Sequence, residues 1–236
     1  MILLGRDTSG YANAVGLTDG EKILADARYE ARTDSLEKIV ANIDAVIKKA
    51  GLTLGGVGGI GVGLGPGSWT GIRVGVTVGK ILAYAGGKPV CGVSTLEALA
   101  YEARREASLI CPVIGMGAGD AVYAAFYKAG NGRIKQLGEY YVGGVPGLAA
   151  MIEEPALIVG SGAAKYAGEI RNTPGFAQNI TALETAPGGA SVAALAALRL
   201  AVGESDDALA LTPLYLKEST ARAFTNRYAG KTGAKE

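Results

Sequence analysis

Two short stretches bring together residue types that can do chemistry. The first is Asp7-Thr8-Ser9, ahead of Gly10. A carboxylate beside small hydroxyls at the end of a first strand can hold a metal–phosphate group or orient a water. The same residues also make an Asx or Ser/Thr turn between two strands. The second is the loop 65–71, Gly65-Pro66-Gly67-Ser68-Trp69-Thr70-Gly71. Its glycines free the backbone, Ser68 or Thr70 can cap a following helix, and amide groups at a helix start attract anions. The loop is neither a Walker A sequence, since no Gly-Lys-Ser/Thr follows, nor a GxGxxG dinucleotide loop. Its alternative reading is a conformationally demanding turn that seats Trp69 against the core.

Histidine is absent from the sequence. That removes Ser-His-Asp and Cys-His nucleophile systems and any His-ligated zinc or iron site. Cys91 and Cys111 are too few for a Cys-only zinc site and lack CxxC spacing. Each lies in an apolar run and reads as a buried free thiol in a cytoplasmic protein; no metal ligands are assigned. A net charge of +1 with 19% charged residues argues against an autonomous grip on nucleic acid, which needs a basic excess to displace counterions. The 236 residues, 49% of them hydrophobic, suffice for one large domain or two lobes around sizeable cores. Arg6 and Asp7 interrupt the apolar start, so no signal peptide is expected, and no run reaches the roughly 18 apolar residues of a membrane span.

The elements that would position these stretches follow from pattern. Strands are expected at 1–4, 11–17 and 22–29, the last two joined by Thr18-Asp19-Gly20. Leu36, Ile39, Val40, Ile43, Val46 and Ile47 recur at helical spacing, predicting a helix over about 34–50, capped by Asp34 or Ser35 and ended by Gly51. A glycine-rich strand at 57–64 leads through the loop 65–71 into a second helix at about 70–86. There Gly75 and Gly79, four apart, allow another helix to approach closely. A strand at 89–93 precedes Ser94-Thr95-Leu96-Glu97, which has capping-box spacing. The second half shows strands at 110–116, 122–127, 134–142 and 156–159, a hairpin turn at Gly130-Asn131-Gly132, helices at 163–170 and 191–202, and an extended piece at 214–217. Each half opens on strands and ends on helices, the pattern of a duplicated α/β unit.

The run from Gly65 to Gly75, GPGSWTGIRVG, resembles the signature GPGSFTGLRIG of the TsaB (YeaZ) family. Asp7-Thr8-Ser9 resembles that family's opening DTS, residues 92–100 its VSTLEALA, Val122-Tyr123 its central strand, and Pro213-Leu214-Tyr215-Leu216-Lys217 its terminal P-x-YLR. The matches are dense over the first hundred residues or so and sparser to residue 217. Departures are Asp34-Ser35 in place of a His-Ser pair, a segment Met116 to Asp120 without the family's acidic-Ala-Arg run, Trp69 for Phe and Lys217 for Arg.

The resemblance implies an actin-like (ASKHA) fold of two ribonuclease-H-like lobes, each a mixed five-stranded sheet flanked by helices. The lobes are expected at 1–104 and 105–217, with 218–236 a flexible tail. It implies a non-catalytic partner of TsaD, the histidine-bearing paralogue that installs threonylcarbamoyl on the adenosine beside the anticodon of tRNAs reading codons that begin with A. TsaE would join the assembly, the isolated chain would form a homodimer, and tRNA contact would be indirect or weak. No cofactor is assigned to this chain alone, with ATP or ADP conceivable at the partner interface. The docking surface is expected from Leu36, Ile39, Ile43 and Ile47 of the first helix with Ile72, Val76 and Lys80 of the second. Asp7, Thr8, Ser9, Gly65, Gly67, Ser68, Thr70, Gly71 and Arg73 would form a vestigial phosphate or structural loop. The rival reading is a stand-alone ATP-binding phosphotransferase of the same fold, using Asp7 and the loop 65–71. A peptidase is disfavoured by the missing histidine.

Overall fold

The computed structural model describes residues 1–30, 37–117, 119–172, 180–183 and 185–217. Leu36, the helix cap at Asp34 or Ser35 and the tail 218–236 lie outside them. The first three strands are β1 (Ile2–Asp7), β2 (Ala12–Asp19) and β3 (Lys22–Glu30), paired antiparallel in sequence. After helix α1 (Ile39–Lys49), strand β4 (Gly59–Gly63) joins β1 in parallel. Helix α2 (Trp69–Gly86) then leads to β5 (Val90–Val93), giving a five-stranded sheet in the order β3-β2-β1-β4-β5.

Helix α3 (Thr95–Glu102) precedes the repeat of this plan. Strands β6 (Leu109–Gly115), β7 (Ala121–Gly130) and β8 (Arg133–Gly144) are antiparallel neighbours. Asn131 and Gly132 both have positive φ in the two-residue turn between β7 and β8, as the Gly-Asn-Gly signal predicts. A short helix α4 (Val145–Ala149), strand β9 (Ala156–Val159), helix α5 (Ser161–Asn172) and strand β10 (Ile180–Leu183) complete a second sheet, β10-β9-β6-β7-β8. The chain then forms helix α6 (Gly189–Ala201).

The two sheets share one strand order, so the duplication expected from the sequence is present. The lobe boundary at 104 divides the sheets but not the helices. Helix α3 packs on the second sheet, where Leu96, Leu99, Ala100 and Ala103 meet Ile110, Tyr127 and Leu157. Helix α6 returns to the first sheet, where Ala193 and Ala196 meet Leu3 and Cys91. The return continues beyond it: Asp206 bridges to Val90, and Leu211 is buried with Leu4 and Val62. Residues 189–211 thus belong to the first sheet's packing, contrary to the expected 105–217 lobe. Gly16 lets α6 lie directly on the strands, since a Cβ there would come within 2.2 Å of the Ala190 nitrogen.

Helices α1 and α2 cover the opposite face of the first sheet. Ile39, Ile43 and Ile47 of α1 and Ile72 and Val76 of α2 are buried in one core with Leu4, Val15, Ile60 and Val62. Gly75 and Gly79 face the sheet rather than another helix: a Cβ at Gly75 would meet Thr8 Oγ1 at 2.1 Å, and one at Gly79 would meet Val62. Ser68 caps α2 by accepting the Gly71 amide, whereas Ser94 stands at the cap position of α3 without a side-chain bond. Glu97 turns from the anticipated capping box to Arg199, 2.5 Å away. Among the described residues, no helix is long and apolar enough to cross a membrane.

Candidate functional site

Strand β1 ends at the seam between the two sheets. Asp7 is buried there, and both carboxylate oxygens are occupied by neighbours. Oδ1 accepts from the Ser9 amide at 2.7 Å and the Ser9 hydroxyl at 2.5 Å. Oδ2 accepts from Thr95 Oγ1 at 2.7 Å. Thr95, at the start of α3, is the member that the sequence reading did not pick out as a site residue. Opposite Asp7 stands Gly63, where a Cβ would overlap the carboxylate. The arrangement is a closed Asx-type turn, as the structural reading of Asp7-Thr8-Ser9 has it.

The loop 65–71 folds onto this turn. Ser68 donates its amide to the Ser9 carbonyl at 2.7 Å, Thr8 Oγ1 donates to the Gly71 carbonyl at 2.8 Å, and the Thr95 amide donates to the Gly65 carbonyl at 2.8 Å. The Gly65–Pro66 peptide is cis and Gly65 has φ +94. The Ser68 and Gly71 amides are therefore used inside the protein. The structure brings Asp7, Thr8, Ser9, Gly65, Gly67, Ser68 and Gly71 together, but not Thr70 or Arg73, which face outward. Trp69 is not seated in the core either. Its ring stacks 4.3 Å from that of Tyr215, with the Arg73 guanidinium 4.2 Å from its centroid and Arg73 Nε donating to Tyr215 Oη at 2.9 Å. This cluster pins the terminal Pro-x-Tyr-Leu-Lys segment across the start of α2.

Arg6 alternates to the other face of β1, toward α2. It is 1% exposed, and neither Nε nor Nη1 has a hydrogen-bond partner. Burial lowers its pKa from the ordinary arginine value to about 10, against the opposing effect of the neighbouring Asp7 charge. The two thiols are buried as expected: burial raises Cys91 to about 11 and moves Cys111 upward too.

Above the closed turn lies a cleft of about 460 Å³ between the sheets, walled by Ser9, Tyr11, Ser68, Trp69, Tyr123 and Ser161. Among the described residues, no acidic or basic side chain lines it. Among the described residues, no group of three or more Cys, Asp or Glu side chains could hold a metal ion.

The expected docking residues need correction. Ile39, Ile43, Ile47, Ile72 and Val76 are core residues, because the apolar face of each helix is spent on the sheet. Lys80 folds back to donate to the Leu209 and Leu211 carbonyls, both at 2.9 Å. Leu36 lies outside the described residues. The outward faces of the same helices nevertheless carry large apolar side chains: Val40 on α1, and Ile81 and Tyr84 on α2, the latter two 59% and 68% exposed. Ile81, Tyr84, Thr77, Ala85 and Leu209 surround a surface cavity of about 310 Å³.

Two sheets of identical order, joined across a cleft with exchanged helices, define a two-lobed protein of the actin-like fold. The ROK hexokinase of Thermus thermophilus shares that fold, with a TM-score of 0.50 at 16% identity, covering 85% of this chain and 100% of that one. YeaZ from Pseudomonas aeruginosa superposes with a TM-score of 0.79 at 27% identity, covering 91% of this chain and 99% of that one. Residues 29–223 match the family described as TsaD: tRNA N6-adenosine threonylcarbamoyltransferase. The chain belongs to this family, and within it to the TsaB (YeaZ) group. The tRNA threonylcarbamoyladenosine biosynthesis protein TsaB of Bacillus subtilis is 30% identical over 137 residues, 58% of this chain and 59% of that protein. The chain thus spans little more than half the length of that curated relative.

Proposed function

We propose that the chain serves tRNA threonylcarbamoyladenosine biosynthesis as a non-catalytic partner subunit of a TsaD-type transferase. It docks through the outward faces of α1 and α2 rather than through their buried ridges. The observation that carries this reading is the exposed apolar patch of Ile81, Tyr84 and Leu209, with Val40 on the neighbouring helix. Large apolar side chains gathered around a cavity on the outside of a helix suit burial by a second protein. The names of the related TsaB proteins supply the pathway. Chemistry supports a supporting role too. Asp7 is held by three internal donors, and among the described residues no charged side chain lines the cleft, so the phosphotransferase reading has less behind it.

In this reading a TsaE-type ATPase joins the assembly, nucleotide sits at the shared interface, and tRNA is engaged mainly by the partners. Without the transferase, the same patch pairs with a second copy of the chain. Reconstitution tests the reading. The transferase of the same organism, with its substrates and tRNA, is expected to form threonylcarbamoyladenosine only when this chain is added, and the chain alone is expected to form none. Product formed by the chain alone, or a yield indifferent to its addition, overturns the proposal.

A further inference from the structure

A further cavity, of about 370 Å³, lies away from both the seam and the docking patch, between α3, α6 and the start of β8. Its size is that of a small-molecule site. Leu195 and Leu198 of α6 and Val202 just beyond it make one wall, and the latter two are exposed. Two charges at its edge are unused: Arg133 at the start of β8 and Glu204 beyond α6 have no side-chain partner among the described residues. The other two charged groups in the lining, Arg199 and Glu97, neutralise each other at 2.5 Å. The turn that carries Arg133 is fixed, because Arg104 donates to the Gly132 carbonyl at 2.9 Å while stacked on Tyr101.

An apolar wall with one free cation and one free anion is complementary to a zwitterion with an apolar side chain. We propose that this cavity binds a free apolar α-amino acid. The carboxylate pairs with Arg133, the ammonium with Glu204, and the side chain lies on Leu195, Leu198 and Val202. The bound molecule bridges α6, which packs on the first sheet, and β8 of the second. Occupancy therefore ties the two lobes together and raises the unfolding temperature of the whole chain.

The test uses the full chain with L-phenylalanine as probe, followed by ligand-observed NMR and thermal unfolding. Phenethylamine, lacking the carboxylate, and 3-phenylpropanoate, lacking the ammonium, are the controls. The expected result is saturable binding of phenylalanine, with each control weaker by about tenfold or more, as loss of a charge-assisted bond predicts. Arg133→Gln should equalise phenylalanine and phenethylamine, and Glu204→Gln should equalise phenylalanine and 3-phenylpropanoate. Both residues are exposed, so neither change endangers the fold. Absence of phenylalanine binding, or binding unaltered in both variants, overturns the proposal.

Discussion

Replacing Arg6 by methionine should make the protein more stable. The guanidinium is buried beneath α2 with Nε and Nη1 unpartnered, and its pKa falls well below the ordinary arginine value, to about 10, chiefly because burial disfavours the charge. That gap corresponds to about 3 kcal/mol against the charged folded form. Arginine is charged at neutral pH both folded and unfolded, and its folded pKa is the lower one. The penalty is therefore constant across the physiological range and would fade only as pH rose past about 10 toward the ordinary arginine value. Methionine follows the same unbranched course through the core without any donor to satisfy. The substitution removes that penalty, in which the attraction to the remaining Asp7 is already counted, so a gain of about 2–3 kcal/mol is expected. For a chain of this size that raises the unfolding midpoint by about 5–10 °C, measured by circular dichroism with urea unfolding as a check on the free energy. A clear loss of stability in Arg6→Met would refute the reasoning, since it would mean that the cation has a strong partner in the folded protein.

Three further substitutions probe the packing around the seam. Thr95→Val keeps the shape but strips Asp7 Oδ2 of its donor, and should destabilise by about 1–3 kcal/mol in urea unfolding. Gly75→Ala would improve helix propensity on an open helix, yet here the new methyl meets Thr8 Oγ1 at 2.1 Å. It should therefore cost about 1–3 kcal/mol, read as a lowered midpoint. Glu102 accepts the Gly188 amide at 3.1 Å and pairs with Arg28 at 2.5 Å, but desolvation dominates and its pKa is raised from 4.5. A raised carboxyl favours the folded state at low pH and gives that advantage up as pH rises through and just above the ordinary carboxylate range. Glu102→Gln should flatten that part of the stability-versus-pH curve.

Local pattern made much of the first sheet legible. Apolar runs and turn signals located β1 to β5, helical spacing located α1, the capping-box spacing at Ser94 marked the start of α3, and in the second sheet Gly130-Asn131-Gly132 marked a hairpin whose turn takes two positive φ angles. The short α4 and β10, five and four residues long, carry too little periodicity to register. The destination of α6 was hidden for another reason: an Ala/Leu helix suits either sheet, and Gly5 and Gly16 admit it to the first only through contacts far apart in sequence. The same limit misassigned the docking face. Spacing shows that Ile39, Ile43, Ile72 and Val76 share apolar helix faces, but not whether a sheet or a partner covers them. Asp7 and Ser9 were recognisable as a unit, whereas Thr95, 88 residues away, closes the carboxylate and was not.

The central claim is that Ile81 and Tyr84 on the outside of α2 are covered by the transferase. Native mass spectrometry of this chain mixed with that transferase tests it most directly, using wild type and Ile81→Asp. The wild-type mixture should give a heteromeric species, and the Ile81→Asp mixture only the separate chains, with the variant's own unfolding midpoint within a few degrees of wild type because the site is exposed. An undiminished heteromer with Ile81→Asp would contradict the account.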